Sequence, residues 1–235
     1  MNKNLLISYL LLIIGMSPLN KLNAEELKVN SKWYLQLGVG NRNGKKVGYK
    51  PASSSVFGSR WISTSSDTVQ DYGIGYILNK NFRASLNYKS YTHNFSDYYN
   101  GNTFYGEYLE KPEYRIDAYT LNFYIDLPKK EGFKFTPYFG AGFGIGKVSK
   151  ENFGTYLRSD GALRSSNSGP KNHDEKYYQF IAGVSTPISK RGDLYIESTY
   201  GGVGTVKGDD LRGRGDWEYK PMKNFSYSAG FRIKL

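Results

Sequence analysis

The chain has 235 residues, a net charge of +11 and no cysteine. Disulfides, thiolate metal sites and lipid attachment at an N-terminal cysteine are therefore excluded. A basic chain of this size invites a nucleic-acid reading, but its N-terminus argues for export and against a nucleic-acid partner. Lys3 supplies a positive start, and Leu5 to Met16 form an apolar stretch interrupted only by Ser8, Tyr9 and Gly15. Pro18 ends that stretch, and Leu22-Asn23-Ala24 reads as a cleavage site before Glu25. The stretch is shorter than the ~20 apolar residues that a membrane-spanning helix requires. Residues 1–24 are expected to be a cleaved signal peptide, and residues 25–235 a single domain. Without Lys3 and Lys21, 30 basic residues face 21 acidic ones, a net charge of +9.

From there the chain alternates. Period-two patterning predicts strands over 32–42, 68–78, 82–92, 115–126, 133–146, 176–186, 193–204 and 224–235. The first puts Trp33, Leu35, Leu37 and Val39 on one face. Pairing Leu78 with Phe82 across the turn 79–81 aligns Tyr76 with Ala84, Ile74 with Leu86 and Tyr72 with Tyr88 on the outside. The same register sets Asp71 opposite Lys89 on the inside, and a slip of one residue would reverse a whole face. The fifth strand carries Phe133, Phe135, Pro137, Phe139, Ala141, Phe143 and Ile145 on one side. Lys134, Thr136, Tyr138 and four glycines lie on the other.

Connections alternate in length as well. Those over 79–81, 127–132 and 187–192 are short, and those over 43–67, 93–114, 147–175 and 205–223 are long. This rhythm predicts an all-β, eight-stranded, antiparallel, up-and-down transmembrane β-barrel with both termini on the short-turn side. In so small a barrel, inward glycines are expected to make room for long charged side chains. Aromatic residues near strand ends (Trp33, Phe82, Phe133, Tyr200, Phe225, Tyr227) suit membrane interfaces.

Phe231, Ile233 and Leu235 fall on one face of a strand that runs to the last residue, with Gly230, Arg232 and Lys234 on the other and Ser228 ahead of them. This spacing resembles the C-terminal assembly signal of Gram-negative outer-membrane barrels, with Leu235 where an aromatic residue is usual. Gly230, Phe231, Ile233 and Leu235 are its expected elements. The run Thr136-Pro137-Tyr138-Phe139-Gly140-Ala141-Gly142-Phe143-Gly144 resembles a fifth-strand motif of the small outer-membrane β-barrel superfamily, which includes opacity-type surface proteins and the OmpA membrane domain. The resemblance implies a monomer in the outer membrane of a Gram-negative bacterium, with periplasmic termini. It also implies outer-membrane lipids, lipopolysaccharide and the barrel assembly machinery as partners. The expected role is structural or surface-interactive, of adhesin or antigen type, through four long extracellular loops. A small porin-like channel for ions or small solutes is the alternative, and a lipid A-modifying enzyme comes third.

Inward charges expected in a polar lumen network are Asp71, Arg83, Lys89, Asp126, Lys134, Glu197, Arg232 and Lys234. Such a network either plugs the lumen or lines a narrow ion path. In the first long loop, Lys45, Lys46, Lys50 and Arg60 are expected to meet lipopolysaccharide phosphates. The tyrosine-rich second loop suits a host or cell-surface ligand. His93 and Ser96, with Glu107 beyond, supply the residue types of a hydrolase, but a spacing of three on one strand sends the first two to opposite faces. No catalytic residue, cofactor or metal is expected. With two His and no Cys, a zinc site is poorly supplied. The glycines from Gly140 to Gly146 lack the strand–turn–helix setting of a phosphate loop.

Overall fold

A computed structural model describes residues 31–235 apart from 45, 51–59, 101–102, 111–112, 129–131, 151–153, 159, 167–168, 171–172 and 210–215. The leader expected over 1–24 lies outside the described residues. Eight long strands build the wall: β1 Trp33–Arg42, β2 Asp67–Ile77, β3 Phe82–Asn100, β4 Glu113–Asp126, β5 Thr136–Lys150, β6 His173–Pro187, β7 Gly192–Val203 and β8 Met222–Lys234. Every pairing between sequence neighbours is antiparallel, and β8 pairs with β1 to close the ring. Closure leaves the wall no open edge, which is the condition for a sheet to sit in hydrocarbon.

The β2–β3 hairpin has the register that its pattern demands: Tyr76 faces Ala84, Ile74 faces Leu86, Tyr72 faces Tyr88 and Asp71 faces Lys89. Its turn is tied locally. The Leu78 amide donates to the Phe82 carbonyl at 2.9 Å, and the Asn79 side chain accepts from the Asn81 and Phe82 amides at 2.9 and 3.0 Å.

Polarity is inverted relative to a protein that folds in water. Leu86, Phe143 and Ile196 are 61–63% exposed on the outside, whereas Gln36 and Asn122 are fully buried inside. An apolar girdle around a polar interior requires lipid as its outer solvent. Trp33 and Tyr76 meet edge to face at 5.0 Å at the turn end, and Tyr200 and Phe225 lie 4.8 Å apart at the loop end.

Inward glycines have a different occupant from the one expected. A Cβ at Gly75 would fall on the Tyr34 ring, one at Gly183 on Tyr138, and one at Gly38 or Gly230 on Tyr195. Space is thus given to tyrosine rings rather than directly to charged chains.

The long connections also differ from the expected loops. β3 runs on to Asn100, and short strands follow at Lys46–Lys50, Arg60–Thr64, Thr103–Glu110, Gly154–Arg158, Leu163–Ser166, Gly169–Pro170, Val206–Asp209 and Asp216–Tyr219. These pair in series. Leu163–Ser166 joins Gly154–Arg158, then Thr103–Glu110, the end of β3, Arg60–Thr64, Lys46–Lys50, Asp216–Tyr219, Val206–Asp209 and finally Gly169–Pro170. The series starts and ends within the same β5–β6 connection. It forms a second β tier above the wall.

Gly75→Leu should cost about 1–3 kcal/mol by overpacking against Tyr34, whereas Ala84→Leu on the lipid face should be close to neutral. Urea unfolding from phospholipid vesicles would compare the two.

Candidate functional site

The interior is one column of side chains, described here from the turn end to the loop end. On β3, Arg83 is 4% exposed, and its Nε lies 3.0 Å from both carboxylate oxygens of Asp126 on β4. Its Nη1 donates to the Tyr34 hydroxyl at 3.3 Å. The guanidinium carbon sits 4.0 Å from the Tyr124 ring centroid and 4.7 Å from that of Tyr138. Arg232 on β8 lies 4.7 and 4.8 Å from the Tyr138 and Tyr195 rings, and its Nε donates to Gln36 at 3.3 Å. Tyr138 therefore serves both arginines. A planar guanidinium can stack on rings and donate at its edge at once, which an ammonium cannot.

Glu197 on β7 is next. Its carboxylate accepts from the Tyr138 hydroxyl at 3.1 Å and from Ser228 at 3.5 Å. Above it, Lys89 Nζ lies 3.5 Å from Asp71, with both side chains 3% exposed. Asp71 also accepts from Asn87 at 2.7 Å, and Lys89 donates to Gln179 at 3.0 Å and Thr199 at 3.5 Å. Gln179 passes the chain on to Asn122 at 2.7 Å. The column holds Arg83, Lys89 and Arg232 against Asp71, Asp126 and Glu197, so its formal charges cancel. Buried charges persist only with such compensation.

At the loop end the polar column stops. Val69, Tyr91, Ile116, Val148, Tyr177, Val203 and Met222 pack into an apolar layer. Beyond it, Arg42 is fully buried, and its Nη2 donates to the carbonyls of Ser65 at 3.0 Å and Thr92 at 2.8 Å.

Of the eight inward charges expected from sequence, six stand in this column. Lys134 does not: it is exposed ahead of β5, whose pairing starts at Thr136, so its alternation does not carry it into the lumen. Lys234 is half-exposed at the turn-end rim, paired in register with Tyr34. Lys46 and Lys50 bound one tier strand and Arg60 opens the next; Lys45 lies outside the described residues. Gly230, Phe231 and Ile233 pair with Gly38, Leu37 and Leu35 of β1, and the Leu235 amide donates to the Trp33 carbonyl at 3.1 Å. The stretch expected to direct assembly is thus also the strand that closes the ring. His93 is buried inside the wall and 5.6 Å from the Tyr91 ring. His173 meets Glu175 at 2.9 Å near the loop end. Sequence reasoning did not assign roles to Tyr34, Tyr124, Tyr195, Gln36, Gln179 or Arg42; the inward glycines opposite the tyrosines were their available signal.

Neither a family model nor a curated protein matches this sequence significantly. Solved structures do. Over 87% of this chain and 96% of its own, the outer membrane protein OprG from Pseudomonas aeruginosa superposes with a TM-score of 0.60 at 14% identity. The chain has the fold of the small outer-membrane β-barrels. Neisserial surface protein A matches over 87% of this chain and 98% of its own, with a TM-score of 0.52 at 16% identity. The outer membrane protease OmpT from Escherichia coli matches over 86% and 96%, with a TM-score of 0.50 at 12% identity. At these identities the likeness carries architecture and not activity.

Within this barrel, Asp71→Asn or Lys89→Met alone should destabilise by about 3–5 kcal/mol, because each leaves a buried charge uncompensated. Exchanging the two charges should recover more than half of that loss. Equal losses in the exchange and the single variants, measured by urea unfolding, would show that the pair does not couple.

Proposed function

We propose that the protein is a surface protein of the Gram-negative outer membrane, in which the barrel is a solid anchor and the loop-end β tier is the interacting part. The filled lumen is the observation that carries this reading. A charge-balanced polar column is capped by an apolar layer at the loop end, and water and ions have no continuous polar track through such a stack. The tier supplies a broad, β-structured edge for contact with another molecule, and a cell-surface or host ligand is the partner class that suits it. Lipopolysaccharide phosphates suit Lys45, Lys46, Lys50 and Arg60 in the first connection. Both termini then face the periplasm, and Gly230 to Leu235 engage the assembly machinery. His93, the base that a hydrolase reading would need, is enclosed within the wall, which weighs against that reading.

Two measurements test this reading. Refolded protein in a planar bilayer should give no discrete conductance steps; reproducible steps from folded protein would replace the anchor with a channel. Because the chain has no native cysteine, single cysteines report orientation cleanly. Ser66→Cys at the loop end should react with an impermeant maleimide on intact cells, and Lys80→Cys in the β2–β3 turn only after permeabilisation. The reverse pattern would overturn the assigned orientation.

A further inference from the structure

One buried cation stands outside the charge-balanced column. Arg42, the last residue of β1, is fully buried on the loop side of the apolar layer. Its Nη2 is spent on the Ser65 and Thr92 carbonyls, but its Nε and Nη1 donate to nothing. Among the described residues no carboxylate lies within ion-pair distance of it. Asp67, its register partner on β2, directs its two oxygens to the Thr68 and Thr92 amides at 2.7 and 3.1 Å. Arg83 and Lys89, by contrast, each face a carboxylate, at 3.0 and 3.5 Å. Carbonyl dipoles solvate a guanidinium without cancelling its charge.

The groups around Arg42 are donors as well. Its guanidinium carbon lies 5.6 Å from the Tyr91 ring centroid, and that ring meets His93 edge to face at 5.6 Å. His93 is buried, and neither of its ring nitrogens has a hydrogen-bond partner. Asn224 is buried on the same inward face of β8 as Ser226, the register partner of Arg42, two residues away. Its Nδ2 is likewise without an acceptor. Diagonal neighbours on one face of a sheet are ~7–8 Å apart, within reach of long side chains. Three side chains on β1, β3 and β8 thus bring surplus N–H donors to one end of the lumen, beside an uncompensated positive charge. Buried donors left unpaired are costly, so a surplus confined to one place calls for an acceptor there.

We propose that this end of the lumen holds one small monovalent anion, of halide size, between Arg42, His93 and Asn224. Charge sets the valence: beside a neutral imidazole, the single charge of Arg42 is balanced by one negative charge. The donor supply sets the size. Phosphate brings more charge and four oxygens, whereas a halide accepts from donors on three strands without any directional demand of its own. The site also lies where the wall meets the tier. Arg42 holds the Ser65 carbonyl, and the Ser65 amide donates to the Asn94 carbonyl at 2.9 Å, directly after the tier strand Arg60–Thr64. An anion bound here ties the tier to the wall, whichever end of the barrel faces outward.

The test is urea unfolding of the folded mature chain in phospholipid vesicles, in sodium chloride or in sodium gluconate of equal ionic strength. Chloride should lower the unfolding equilibrium constant roughly thirtyfold relative to gluconate, as for a native-state ligand at about thirty times its dissociation constant. Bromide should replace chloride and give an anomalous-scattering peak beside Arg42 Nε in crystals of the barrel. Arg42→Met and Asn224→Leu should each remove most of the chloride effect, and Arg115→Gln on the outer wall should keep it. If Arg42→Met does not fold, the wild-type salt comparison and Asn224→Leu decide the matter. Equal stability in the two salts, or no bromide at this end of the lumen, would show that these donors are hydrated only and overturn the site. A chloride effect that survives Asn224→Leu but is lost in Arg115→Gln would place the ion on the outer surface and overturn it equally.

Discussion

An eight-stranded ring is so narrow that side chains from opposite walls compete for the same volume. This constraint organises the rest of the interior. A tyrosine ring can lie inward over a neighbouring strand only where that strand has no Cβ in the way. Tyr34 is accommodated by Gly75, Tyr138 by Gly183, and Tyr195 by Gly38 and Gly230. Each of these rings in turn presents a face to an arginine: Arg83 lies over Tyr34, Tyr124 and Tyr138, and Arg232 over Tyr138 and Tyr195. Glycine, tyrosine and arginine positions on different strands are therefore coupled. None of the three makes sense within its own strand.

Volume alone does not make the column stable, because its atoms are also polar. The balance of Arg83, Lys89 and Arg232 with Asp71, Asp126 and Glu197 removes the largest penalty. Neutral amides then distribute the remaining hydrogen bonds, as Gln179 does between Lys89 and Asn122. The apolar layer from Val69 to Met222 covers this set on the loop side. In the drier medium each ion pair and hydrogen bond is stronger, and each would also cost more if left unmade. A network of this kind favours a single arrangement of the wall. That rigidity is what a support for the tier requires.

Much of the wall was legible in the sequence because lipid and lumen impose opposite chemistry on alternate residues. The Asp71–Lys89 pairing followed from one hairpin turn and its register. Lys134 was not legible, because Phe133, Lys134 and Phe135 continue the alternation beyond the point where pairing begins; alternation reports faces and not the height of the wall. The tier escaped notice for the opposite reason. A strand such as Lys46–Lys50 has no hydrocarbon side, so Lys-Val-Gly-Tyr-Lys lacks the contrast that marks a spanning strand. Contacts such as Lys89 with Gln179 join residues on non-adjacent strands. They depend on ring closure, which no local pattern encodes.

Charge balance inside has a consequence outside. A column with equal numbers of buried cations and anions contributes nothing to the excess of +9 carried by residues 25–235. That excess is carried by residues outside the column, the buried Arg42 among them. On the outer wall, Arg115, Lys147, Lys176 and Lys223 are exposed toward the loop ends of β4, β5, β6 and β8. Cations at that end of an apolar wall favour contact with anionic headgroups at the membrane boundary.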